Sequence, residues 1–215
     1  MDDVVLVARL LRLRLERGAR KMVSTVAKTL DPTRELREAR EAFDYTPTAQ
    51  NQMRLAAALL ESDQAQEAAT NFEACLKGPF SNDPEMRFGA ARAFFACGRY
   101  AEAISHLESI RKTDATYRAE EVSVLLAKTL GSAGRRREAQ AEFEQALERF
   151  GSFECRAEYA IWAISAGERD LAARLQIDIQ RSMERWNRHT RDLNMPLTRR
   201  LNAAYEMTKQ TASRA

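Results

Sequence analysis

Apolar and polar residues recur along most of the chain with the spacing of amphipathic helices, and the same arrangement returns four times. In each copy an alanine is followed twelve residues later by a second alanine, with a short glycine-containing or polar turn between them. The pairs are Ala56 with Ala68, Ala91 with Ala103, Ala127 with Ala139, and Ala160 with Ala172. Two antiparallel helices joined by a tight turn approach closely where both carry a small side chain at the crossing. The pattern therefore predicts four helix pairs.

Turn and cap residues define where these helices begin and end. Three of the four turns carry a glycine that suits the left-handed conformation at a helix end, and Asp63 takes that place in the first turn. Asp31 before Pro32 and Asp83 before Pro84 each provide an N-cap acceptor ahead of a proline at the first helical position. The predicted helices are 32–44, 49–61, 64–77, 84–96, 99–112, 117–131, 135–149, 153–165, 168–187 and, after Pro196, 197–210.

This pattern resembles the tetratricopeptide repeat, in which small residues recur at two fixed positions and a large residue follows the second. The resemblance covers residues 49–182, and Gln176 departs from it by standing where the last unit should have a large residue. It implies an all-α, right-handed α-solenoid of about four helix pairs, with an N-terminal helical segment and a C-terminal capping helix. The expected domains are 1–30 for a basic amphipathic N-terminal segment, 31–48 for a leading helix, 49–188 for the four repeats (49–82, 84–115, 117–151 and 153–188) and 189–215 for the capping helix and tail.

Amino-acid composition and charge exclude several classes of fold and partner. With only 8 Gly and 5 Pro, the chain is typical of a helical protein rather than an all-β one. The net charge of +3 is spread along the chain without interleaved aromatic residues, so nucleic acid is not an expected partner. The sequence contains no run of about 18 uncharged apolar residues, so it predicts no membrane span.

Candidate catalytic and cofactor-binding groups are few. The three cysteines and two histidines form no metal-ligand spacing, and no glycine-rich phosphate loop occurs, so we expect no metal, no cofactor and no enzymatic activity. Cys75 and Cys155 fall on predicted packing faces and are expected to be buried thiols, whereas His106 is expected at the solvated surface.

The expected binding surface follows from the repeat. In a solenoid of helix pairs, the first helices line the concave side, where a peptide or protein partner is held. The alignment places there a mostly apolar set that also includes Glu121 and Glu154, with Arg92 and Lys128 as isolated positive charges. The candidate groove residues are Met53, Leu60, Phe88, Arg92, Phe95, Val124 and Lys128. The alternative is that the N-terminal or final helix of the protein itself covers this surface.

The N-terminal segment offers a second candidate surface. Residues 4–15 combine an apolar stripe with arginines, and the first 21 residues carry six basic side chains against three acidic ones. Such a helix lies on an anionic membrane, or it packs on another helix or on a second copy of the chain, and both alternatives stay open, including a homo-oligomer. Its candidate residues are Arg9, Arg12, Arg14 and Arg17.

From Leu30 onward the chain is also similar to bacterial proteins in which a membrane segment of the phospholipase-D-nuclease type precedes a cytoplasmic tetratricopeptide array. Residues 30–37, 189–191 and 199–202 carry this resemblance. It implies that the present start is either a shorter natural form or a trimmed one, and it lends no phospholipase activity. We therefore expect a non-enzymatic protein-interaction or scaffolding module in the cytoplasm or at the inner membrane face, with a peripheral membrane-associated organiser as the alternative.

Overall fold

A computed structural model describes residues 32–78 and 80–212, and every regular element in those ranges is an α-helix. The helices are α1 (Pro32–Tyr45), α2 (Ala49–Glu61), α3 (Ala65–Leu76), α4 (Pro84–Ala96), α5 (Tyr100–Thr113), α6 (Ala119–Ser132), α7 (Arg136–Phe150), α8 (Phe153–Ala166), α9 (Arg169–Glu184) and α10 (Arg188–Ala212). The described residues divide into two compact units, on either side of the boundary between Ser81 and Asn82. Helices α1–α3 belong to unit 1 and α4–α10 to unit 2.

In unit 1, α2 packs against both α1 and α3. The Asn51 side chain fixes the turn between α1 and α2, because its amide donates to the carbonyl oxygens of Ala42 at 3.2 Å and Thr46 at 2.8 Å. The Thr48 hydroxyl oxygen in turn accepts the backbone N–H of Asn51 and caps α2. This turn directs α1 back along α2.

Unit 2 stacks the pairs α4/α5, α6/α7 and α8/α9, and it ends with α10 packed against α8. Aromatic side chains fill the centre of the stack between α7 and α8. Phe143 stacks on Tyr159 with 5.0 Å between ring centroids, and Trp162 lies 5.7 Å from Phe143. Because these rings come from successive pairs, they tie one pair to the next.

The predicted alanine crossings are confirmed. All eight alanines are buried, seven of them at 0% exposure and Ala172 at 6%. The turns between the paired helices also have the predicted left-handed backbone, with φ of 59° at Asp63 and 76° to 80° at the three glycines. The sequence pattern thus identified both the crossing points and the turn geometry.

The start predicted for the last helix was wrong. Helix α10 begins at Arg188, because the Asn187 side-chain oxygen accepts the Thr190 N–H at 2.8 Å and caps the helix there. Pro196 lies inside α10 instead of opening it. Leu201, which is 2% exposed, anchors α10 in the core of unit 2, and the Tyr205 hydroxyl donates to the Ala172 carbonyl oxygen at 2.8 Å.

Three smaller predictions can be compared with the structure. Cys75 and Cys155 are buried, as expected. His106 is half-buried rather than solvated, because its ring stacks on Phe94 at a centroid distance of 5.3 Å. Gly131, the predicted last residue of the helix 117–131, lies in the last turn of α6. Within the described ranges, no helix combines the length and apolar character required to cross a bilayer.

Candidate functional site

A cavity of about 300 Å³ lies against α4, α6 and α8, the first helices of the three pairs in unit 2. We refer to it as the unit 2 cavity. Its lining residues are Phe88, Arg92, Arg118, Glu121, Val124, Leu125, Lys128 and Glu154. Four candidate groove residues, Phe88, Arg92, Val124 and Lys128, therefore line one cavity. Glu121 and Glu154, which the alignment also places toward the groove, lie in the same lining, whereas Arg118 and Leu125 were missed.

The floor of the cavity is apolar and largely covered. Phe88 is 5% exposed and Val124 is 4% exposed, while Leu125 is half-buried. The Arg118 guanidinium covers the Phe88 ring, with its central carbon 4.5 Å from the ring centroid, and the Tyr117 ring packs edge-on against Phe88 at 6.4 Å. Phe88 is therefore less accessible to a partner than the sequence predicted.

Arg118 owes its position to the loop before α6. The Asp114 carboxylate accepts the backbone N–H groups of Thr116 at 3.0 Å and Tyr117 at 3.1 Å, which folds the loop, and Arg118 then adopts a left-handed backbone with φ of 40°. Its guanidinium pairs with Glu121 through two hydrogen bonds. This charge-assisted pairing raises the pKa of Arg118, so the group stays cationic.

Lys128 is not the isolated positive charge that the sequence suggested. Its ammonium group lies 3.1 Å from a carboxylate oxygen of Glu158, a side chain that is only 6% exposed. Arg200 on α10 pairs with the same oxygen at 2.9 Å. A buried carboxylate normally needs such partners. Because two cations share one carboxylate, the group of three has a net charge of +1.

Glu154 places negative charge at the same wall. Although Glu154 is exposed, partial desolvation, followed by repulsion from Glu120, Glu158 and Glu121, raises its pKa above the ordinary value. The wall thus combines the cations of Arg92, Arg118 and Lys128 with the carboxylates of Glu121 and Glu154. A mixed rim over an apolar floor suits a peptide better than a uniformly charged ligand.

The other predicted site residues lie elsewhere. Phe95 is half-buried on α4 outside the cavity lining, with the Lys128 ammonium 5.9 Å from its ring centroid. Met53 and Leu60 are half-buried on α2 in unit 1. Arg9, Arg12, Arg14 and Arg17 fall outside the described residues. In the described part of the chain, no three side chains of the metal-binding types converge.

Stacked antiparallel pairs with small residues at each crossing define an all-α repeat protein of the α-solenoid class. The model of the tetratricopeptide repeat family matches residues 59–128. No curated protein matches the chain significantly.

Solved structures extend the likeness over most of the chain. A thermophilic TPR protein of Thermus thermophilus is 16% identical with a TM-score of 0.65, covering 88% of this chain and 98% of that one. The MamA RS-1 ArsTM double mutant is 14% identical with a TM-score of 0.61, covering 78% and 95%. MamA MSR-1 C2 is also 14% identical, with a TM-score of 0.55, covering 88% and 95%.

These likenesses confirm the predicted fold class, a solenoid of tetratricopeptide-like helix pairs. At such identities they establish the fold alone. Tetratricopeptide proteins are in general protein-interaction or scaffolding modules and are typically non-catalytic.

Proposed function

We propose that this protein is a non-enzymatic scaffolding module that holds a protein or peptide partner at the unit 2 cavity. The observation that carries the proposal is the mixed-charge rim over an apolar floor, built from the first helices of three successive pairs. First helices are the usual binding elements of repeat proteins of this kind.

The size and lining of the cavity limit what it can hold. A volume of about 300 Å³ lies at the small end of ligand pockets, so it suits one or two side chains of a larger partner. An apolar side chain can pack on Leu125 and on the apolar edge of the Arg118–Phe88 stack. A neighbouring carboxylate can then pair with Arg92, which lies exposed at the wall.

The experiment changes the rim and leaves the floor intact, because Phe88 is buried and its replacement could disturb the fold. Arg92→Glu reverses a charge at the cavity, and Arg137→Glu makes the same change at an exposed position on α7. Each form is used to recover partners from host cell extract, and circular dichroism checks the helical content. We expect Arg92→Glu to reduce partner recovery about tenfold or more and Arg137→Glu to preserve it. Equal recovery by both variants would contradict the cavity as the binding site.

The alternative proposal is a peripheral membrane-associated organiser at the inner face of the membrane. It is supported by the basic sequence around Arg9, Arg12, Arg14 and Arg17. Flotation with phosphatidylglycerol vesicles separates the two functions. Binding that disappears when residues 1–21 are deleted supports the membrane role, whereas absence of flotation by the full chain discards it.

A further inference from the structure

A second cavity in unit 2, of about 570 Å³, lies where the first turn of α8 meets the end of α9. It shares no lining residue with the unit 2 cavity. We refer to it as the arginine cavity. Its lining residues are Arg156, Asp178, Arg181, Ser182, Arg185 and Trp186. The wall therefore has three guanidinium groups and one carboxylate, a net charge of +2.

The helix geometry accounts for part of this cluster. Arg181 and Arg185 are four residues apart and therefore share one face of the α9 end. Their positive charges lie at the negative end of the helix dipole, which is a favourable interaction. Arg181 also approaches the Asp178 carboxylate, at 4.0 Å. These two arginines have an ordinary structural role.

Arg156 does not fit that account. It lies in the first turn of α8, where the helix dipole disfavours a cation, and it lines the same cavity as two like charges. Its guanidinium makes a long hydrogen bond, 3.4 Å, to the Ser152 carbonyl oxygen. Within residues 33–78 and 80–207, neither Arg156 nor Arg185 forms an ion pair with a carboxylate. The third guanidinium therefore gives the wall an excess of positive charge that complements an anionic ligand.

We infer that the arginine cavity binds a short acidic segment of a protein partner, through at least two Asp or Glu carboxylates. Guanidinium groups bind carboxylates through paired, charge-assisted hydrogen bonds, and the Ser182 hydroxyl can donate a further one. Trp186, held by Phe153 at a centroid distance of 4.6 Å, provides a fixed apolar wall beside the charges.

A peptide matches the cavity better than a nucleic acid does. Phosphate backbones need a continuous basic face, and here Asp178 in the wall and exposed Glu184 at the end of α9 interrupt the positive charge. A short acidic segment can place its carboxylates on the arginines and avoid both. This site is separate from the proposed partner site at the unit 2 cavity.

The test measures binding of fluorescein-labelled hexaglutamate to the full chain by fluorescence anisotropy. Arg156→Gln with Arg185→Gln removes two charges from the cavity, and Arg136→Gln with Arg137→Gln removes the same charge from exposed positions on α7. We expect the first double variant to weaken binding at least about tenfold and the second by less than about twofold. Arg92→Glu should also leave this affinity within about twofold, which separates the inference from the proposed function.

Three results would overturn the inference: no measurable binding by the unmodified protein, equal weakening in both double variants, or tighter binding of a thymidine oligonucleotide of matched charge. Circular dichroism and urea denaturation verify that the variants are folded. If Arg156→Gln disturbs folding, Arg181→Gln with Arg185→Gln provides the same measurement from α9 alone. Unchanged affinity in that variant would count against the cavity.

Discussion

A methyl group at position 131 would collide with a buried indole ring. Gly131 lies in the last turn of α6, and a β-carbon there would meet Nε1 of Trp162 at 2.4 Å and Cδ1 at 2.6 Å. Trp162 is 8% exposed and packs among Phe143 and Tyr159, so it has little room to move. Gly131→Ala therefore tests whether α6 and α8 approach as closely as the structure indicates.

Two effects of opposite sign decide the outcome. At an open helix position, replacing Gly by Ala stabilises by about 1 kcal/mol. Overpacking a core costs about 1 to 3 kcal/mol, and a 2.4 Å contact places this substitution at the upper end of that range. We therefore expect Gly131→Ala to lower the free energy of unfolding by about 2 kcal/mol.

Urea denaturation followed by tryptophan fluorescence measures this change, because Trp162 and Trp186 both lie in unit 2. Ser132→Ala is the matched control: position 132 is the next residue of α6 and is exposed, so its effect should stay within about 0.5 kcal/mol.

A double-mutant cycle with Trp162→Phe identifies the contact itself. Phenylalanine lacks the indole Nε1, the atom that approaches position 131 most closely, so the cost of Gly131→Ala should fall by about 1 kcal/mol or more in that background. The reasoning is refuted if Gly131→Ala stabilises the protein by about 1 kcal/mol, as at an open helix position.

Three further substitutions test other parts of the structure. Asp63→Gly should raise the free energy of unfolding by about 0.5 to 1 kcal/mol in urea denaturation, because an L-residue holds φ of 59° there; a less stable variant would show that the Asp63 side chain stabilises the turn. Glu154→Gln should stabilise the protein at neutral pH. The pKa of Glu154 is higher in the folded state than in the unfolded state. The contribution of Glu154 to stability is therefore fully present below its unfolded-state pKa and is lost as the pH rises through its folded-state pKa. Urea curves at about pH 4 and pH 7 should accordingly differ between variant and wild type only at the higher pH. Arg200→Ala should lower the free energy of unfolding by about 1 kcal/mol in thermal denaturation, because it removes a partner of buried Glu158. Arg199→Ala, at the exposed neighbouring position, should change it by less than about 0.5 kcal/mol. Equal effects of the two substitutions would argue against the ion pair.

The sequence predicted the fold well because its signals were local and repeated. The alanine spacing located the crossings, and the turn residues located most helix ends. The start of α10 was missed because Pro196 is a stronger sequence signal for a helix start than Asn187, although the Asn187 cap acts earlier in the chain.

The candidate site was harder to predict, because two of its lining residues, Arg118 and Leu125, were not among the expected groove positions. Arg118 reaches the Phe88 ring only through a left-handed backbone that the sequence does not indicate. The alignment did place Glu154 toward the groove, and the packing of α8 beside α6 brings it into the same wall as Lys128. A repeat alignment identifies which helix faces a partner, but it does not identify the neighbours of a side chain across two helices.

The capping helix affects the chemistry of the cavity as well as covering the end of the core. Lys128 lines the cavity from α6, Glu158 comes from α8 and Arg200 comes from α10, so three helices meet at one carboxylate. Without Arg200, Lys128 and Glu158 would form a neutral pair; with it, the group carries one excess positive charge beside Glu154. That excess favours an acidic group on the partner and offsets the repulsion from Glu154. The charge presented at the cavity therefore depends on a helix that comes after the repeats, which a repeat-by-repeat alignment does not include.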